Sequence, residues 1–254
     1  MKHLIFLLSL SIILFTIISC EETFGPNELG GDTNLDLTEV GSEFGIYPKF
    51  ENGDPALNNA LSQINDTVYI TKNENGIVTL KMKFETNIEN FRKIDTMIGT
   101  YLLPQAVREQ IFDYYKTKYD VEIDTSDYEH LWATKDVKLK ITSDGIQDYV
   151  YSKGDESKPY TIMKYDSKVG DKYEFTDSDG EKITRTVTQT HQTEDWQIGF
   201  IMVKTMRVEQ ETPNDPLVRK ITYIGNHKFG LVGIIMDMKD GKLMQMTIVP
   251  WNVM

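Results

Sequence analysis

Asp177, Asp179 and Glu181 fall on alternate residues of Asp177-Ser178-Asp179-Gly180-Glu181, an arrangement that could offer oxygen ligands to calcium. Calcium takes about six to eight oxygens from a loop of fixed spacing. With Gly180 at the obligatory glycine, Phe175 stands first and Thr186 twelfth, where an Asp and a bidentate Glu belong. The segment is therefore expected to be a solvated hairpin turn. The same alignment on Gly241 puts Met236 and Met238 at ligand positions and fails as well. His130, His191 and His227 lie far apart and form no HExxH or HxH pair. They read as surface or hydrogen-bonded histidines, unless folding sets the strands of His191 and His227 side by side. The sequence holds no GxSxG elbow, phosphate-binding glycine loop or SxxK motif. A carboxylate pair for glycoside hydrolysis depends only on separation in space, so a hydrolase remains an alternative with no residues assigned. No cofactor or metal is expected.

Two other groups of side chains point to binding. With Asp240-Gly241 at a turn, Ile235 is expected opposite Met246 and Gly233 opposite Ile248, while Met236 and Met238 share the other face with Ile234 and Leu243. Both faces are largely apolar, which suits burial on two sides or the lining of a cavity. Methionine adapts to irregular apolar ligands. Met236, Met238, Met244 and Met246 are therefore candidates to contact a hydrophobic small molecule, against plain core packing. Trp132, Trp196 and Trp251 sit beside Glu129-His130, Glu194-Asp195 and Asn252. An exposed Trp flanked by carboxylates or amides can stack on a sugar ring, so these three are candidates for glycan binding, against half-buried Trp at strand ends.

These side chains need a β framework. Asn75-Gly76, Asp144-Gly145, Asp179-Gly180 and Asp240-Gly241 each separate apolar or alternating runs, the pattern of hairpins. Centring a turn on Asp179-Gly180 places Glu174 opposite Arg185. Lys182 to Thr190 alternates Ile183, Arg185 and Val187 with threonines, as in a strand with one solvated face. Ile198 to Glu209, Leu217 to Ile224, Phe229 to Met238 and Lys242 to Val249 continue the pattern. Pro104 to Tyr119 instead spaces Val107, Ile111, Tyr114 and Tyr115 for a helix, with Pro104 in the first turn. A shorter helix is expected at Pro55 to Ile64. The expected fold is mainly β (α+β), a curved antiparallel meander or half-barrel with one helix packed on it. A sub-boundary is allowed near 154–159.

The chain carries a net charge of −12, with 40% hydrophobic and 11% aromatic residues, a globular mixture. Its acidity argues against nucleic acid, whose phosphates need a basic face. Cys20 is the only cysteine, so a monomer has no internal disulfide and its stability must come from the core.

Lys2 precedes the apolar run Leu4 to Ile18, which ends in Ser19-Cys20, the layout of a secretory signal. Ile17-Ile18-Ser19-Cys20 resembles the lipobox of bacterial lipoproteins, with Ile17 where Leu is usual. The resemblance implies cleavage after residue 19 and acylation of Cys20, hence attachment to a membrane. Glu21-Glu22 resembles the acidic signal that sends some Gram-negative lipoproteins to the cell surface, which leaves surface and periplasmic faces of the outer membrane both open. Residues 1–19 are thus expected to be a signal peptide, 20–45 a flexible tether poor in apolar residues, and 46–254 a β-rich domain. The function expected is a non-catalytic cell-envelope role, in binding or assembly, with a hydrophobic ligand or, alternatively, a surface glycan.

Overall fold

The computed structural model describes residues 28–98, 102–124, 126–127, 129–191 and 194–253. The strands are β1 (Glu43–Phe50), β2 (Asn65–Glu74), β3 (Ile77–Thr86), β4 (Glu122–Asp124), β5 (Leu131–Thr142), β6 (Gly145–Asp148), β7 (Tyr160–Lys164), β8 (Lys172–Thr176), β9 (Lys182–Gln189), β10 (Glu194–Ile198), β11 (Ile201–Lys204), β12 (Met206–Glu211), β13 (Val218–Asn226), β14 (Gly230–Met238) and β15 (Leu243–Pro250). Three helices accompany them: α1 (Pro55–Leu61), α2 (Ile88–Ile98) and α3 (Gln105–Tyr119). One antiparallel sheet runs β7-β6-β5-β3-β2-β1-β15-β14-β13-β12-β9-β8, with β4 added beside β5, and curls into a nearly closed barrel.

Its two ends, β7 and β8, meet at a seam joined by side chains in place of a backbone ladder. Tyr160 stacks on Phe175 with centroids 4.0 Å apart. The Tyr160 hydroxyl donates to the Thr176 carbonyl at 2.8 Å, and the Lys164 amide donates to the Tyr173 hydroxyl at 3.1 Å. From the next strand, Arg185 donates to the carbonyls of Tyr160 and Thr161 at 3.2 and 3.0 Å.

Alternate residues fill the interior: Phe44 and Ile46, Val68, Val78 and Leu80, Ile141, Val187, Val208 and Tyr223 belong to one core. All three helices lie in connections at one end of the barrel. Residues 28–42 cross the other end and close it. Leu37 joins the core there, Leu29 is buried, and Asp32 and Ser143 exchange two hydrogen bonds at 2.9 Å. The expected tether of 20–45 is thus corrected over residues 28–45, whose apolar residues, though few, are placed to plug the barrel, while 20–27 lie outside the described residues. The expected sub-boundary near 154–159 is a loop between β6 and β7, two paired strands of the same sheet.

Turn lengths decide the registers. Asn75 and Gly76, both at positive φ, make the expected two-residue turn between Glu74 and Ile77. The β5–β6 turn centres on Ser143-Asp144, with Gly145 already in the strand. Between β8 and β9 the loop holds five residues, because the Asp177 carboxylate accepts the amides of Asp179 and Glu181 at 2.9 and 2.8 Å. Glu174 therefore faces Thr184, and Arg185 faces Tyr173. Between β14 and β15 five residues separate the last pair, Asp237 and Leu243, so Ile234 faces Met246 and Met236 faces Met244. Ile198 to Glu209 is not one strand: Gly199, at positive φ, turns it back as the β10–β11 hairpin, a separate two-stranded sheet. Unexpected from the sequence is α2, which Asn87 caps by accepting the Asn90 amide at 2.8 Å.

Candidate functional site

The one-residue shift in the β14–β15 register gathers the methionines. Ile234, Met236 and Met238 now share the inward face with Met244, Met246 and Ile248. The expected separation of Met246 from Met236 and Met238 is thereby corrected. Met246, Ile234 and Ile248 line an apolar cavity of about 260 Å³ inside the barrel, with Met82, Phe84 and Leu139 across from them. Met238 and Met244 line a groove of about 810 Å³ at the helical end, with Phe50, Ile94, Val107, Ile111 and Tyr114. Met236 lines neither, but it pairs with Met244 between them. The rim of the groove is polar, with Gln110, Asn214, Lys239 and Lys242. Its volume falls within the roughly 300–1,000 Å³ usual for small-molecule sites.

Helix α3 forms one wall of this groove. Pro104 sets its start, and Asp120 ends it in the left-handed conformation. None of its side chains is buried. The reason is space on both flanks: the groove on one side, and a second cavity of about 620 Å³ against α2, lined by Phe91, Ile94 and Phe112, on the other. Polar contacts hold its C-terminal half. Lys118 reaches Asp177 at 2.7 Å and Glu181 at 3.4 Å, and the Tyr115 hydroxyl donates to Asp215 at 2.6 Å. Tyr119 meets the ring of Tyr151 edge-on at 6.5 Å. Lys135 donates to Asp120 at 3.0 Å. Burial pushes the Asp177 carboxyl up, but Lys118 and the backbone amides of Glu181 and Asp179 outweigh it and hold it below its ordinary value. Burial likewise raises the Tyr115 hydroxyl, reinforced by Asp215.

Asp148 and Tyr223 also border the cavity, whose lining is almost wholly apolar because their polar groups turn to Arg185. Asp148 pairs with the fully buried Arg185 at 2.7 Å. Arg185 also donates to Gln210 at 2.9 Å, and its guanidinium lies over the rings of Phe175 and Tyr223. Burial opposes its charge, and the Asp148 carboxylate together with Tyr223 and Tyr151 more than compensates.

The other sequence candidates separate. Trp196 is 5% exposed, its indole nitrogen donating to the Val232 carbonyl at 3.0 Å, so it has no free face for a sugar. Trp132 is half-buried on β5 between Glu85 and Asp124. Trp251 is 50% exposed and stands edge-on to Tyr47 at 6.4 Å. His191 and His227 do come together, with ring centroids 5.8 Å apart. Burial, then His227, holds His191 below its ordinary pKa. Among the described residues no group of three or more His, Cys, Asp or Glu could hold a metal. In the Asp177–Glu181 loop the place of a cation is taken by the Lys118 ammonium. Cys20, with Glu21 and Glu22, lies outside the described residues. The groove wall from α3 is legible in the sequence as a helix but not as part of a site, since nothing in its spacing reveals the empty space beside it.

Comparison with known proteins finds no family model, curated protein or solved structure that matches this chain.

Proposed function

We propose that the chain is a lipid-anchored protein of the outer membrane with a non-catalytic role, binding a hydrophobic small molecule in the groove beside α3. The observation that carries this reading is the row of methionines leading from the groove, at Met238 and Met244, to the interior cavity at Met246. A mostly apolar site with a few polar groups at its rim suits such a ligand, and flexible thioethers let one surface fit several shapes. The lipobox at Cys20 supports attachment. The nine residues from Cys20 to Glu28 span at most about 30 Å when extended. They lead to the plugged end of the barrel, so the groove lies at the end away from the anchor.

The test is titration of the purified full chain with N-phenyl-1-naphthylamine, an uncharged apolar dye that brightens on leaving water. Binding is expected, weakened about tenfold by Met238→Lys or Met244→Lys, since losing one buried apolar side chain removes roughly 1.5–3 kcal/mol. No binding, or equal affinity in both variants with the fold intact, would contradict the reading.

A further inference from the structure

The β10–β11 hairpin has two unlike faces. On one, Trp196, Ile198 and Val203 pack on Ile224, Phe229 and Val232 of the barrel wall. The fit depends on Gly233, where a Cβ would fall 2.3 Å from the Trp196 ring. The hairpin is thus fixed by its inner face. At its turn and along β11, Phe200 is fully exposed and Ile201 and Met202 are exposed as well. A Phe held entirely in water forgoes the stabilisation that burial of its ring would supply.

The same outer face carries two more exposed aromatics. Tyr47 pairs with Thr247, and Thr247 with Gly233, so Tyr47 lies two strands from the hairpin, about 10 Å away. Trp251 stands against Tyr47. Lys49 shares that face of β1 with Tyr47 and the exposed Glu43, and makes no ion pair among the described residues. This face thus joins apolar tips, amphipathic rings and a lysine.

We propose that this face docks on the interfacial layer of a lipid bilayer, with Phe200 as the inserted tip. Trp and Tyr favour that layer because their rings are apolar and their N–H or O–H groups stay wet. The proposal rests on the lipid-anchor reading, which keeps the plugged end of the barrel within about 30 Å of the membrane. Docking would then fix the orientation of the barrel relative to the membrane.

The test places Trp at the tip, Phe200→Trp, in the lipidated full chain reconstituted into phosphatidylcholine–phosphatidylglycerol vesicles with bromine on the upper acyl carbons. The added emission, read against the unsubstituted protein, is expected to be largely lost in brominated vesicles and shielded from aqueous acrylamide. Emission that bromine leaves unchanged and acrylamide quenches freely would overturn the proposal. Intact mass reports the anchor separately. If no acyl chain is present, the anchor reading fails, and the same vesicles mixed with the unacylated protein decide the tip: quenching supports it and no quenching overturns it.

Discussion

Arg185 sits inside the barrel with no exposed surface, joined to Asp148 on β6, Gln210 on β12 and two carbonyls of β7. It therefore ties three strands together at the place where the backbone ladder stops. Replacing a buried ion pair by apolar groups can be neutral, but removing one partner strands the other charge, at about 3–5 kcal/mol. Asp148→Ala is accordingly expected to lower the free energy of urea unfolding by about that amount, and a loss under about 1 kcal/mol would show the pair is dispensable. The sequence marks Arg185 as an inward position by its alternation with Ile183 and Val187. It does not reveal the partner. Centring the turn on Asp179-Gly180 sends Arg185 to face Glu174, whereas the Asp177 side chain adds a residue to the loop and Glu174 pairs with Lys182 at 3.3 Å. The methionines obey the same logic, since which face Met246 takes depends on the length of one loop.

At the scale of elements, α3 is held by charge and hydroxyl contacts more than by packing, which suits the wall of the groove proposed to admit a ligand. Asp177 stays ionised to lower pH in the folded chain than in the unfolded one. The Lys118–Asp177 clamp thus contributes stability above the ordinary Asp pKa of about 3.9 and loses it as pH falls through the depressed folded value. Near-ultraviolet circular dichroism of the tyrosine cluster around Tyr115, Tyr119 and Tyr151 is expected to fall only as pH drops below about 4, the ordinary Asp range, while far-ultraviolet ellipticity holds. Lys118→Met should shrink that acid step, because its clamp is already absent at neutral pH. A tyrosine signal indifferent to both changes would show that packing alone fixes the helix. Both α3 and α1 are legible in the sequence, from Pro at the start and apolar spacing after it. Helix α2 is not: Asn87 and the spacing of Ile88, Phe91 and Ile94 are present as signals, but Phe91 is exposed and the helix packs only in part.

For the whole molecule, hairpin cues at short range suffice to give an antiparallel meander, because each strand pairs mainly with its neighbour in sequence. Two features escape that logic. β1 pairs with β15 across most of the chain, and β7 and β8, though consecutive in sequence, meet through side-chain packing in place of a backbone ladder; no local pattern encodes either. The plug formed by residues 28–42 has the composition of a tether because Leu29 and Leu37 are isolated among Gly, Asp and Asn. The curled sheet encloses a chamber plugged at the end that residues 28–42 cross, with helices and the methionine-lined groove at the other. The central claim is that this groove holds an apolar ligand. It is tested most directly by native mass spectrometry of the full-length protein purified from its own host's membranes. The expected spectrum shows the acylated polypeptide together with a further adduct of an apolar small molecule, and that adduct is lost from the Met238→Lys variant. A mass equal to the acylated polypeptide alone, from both proteins, would contradict the account.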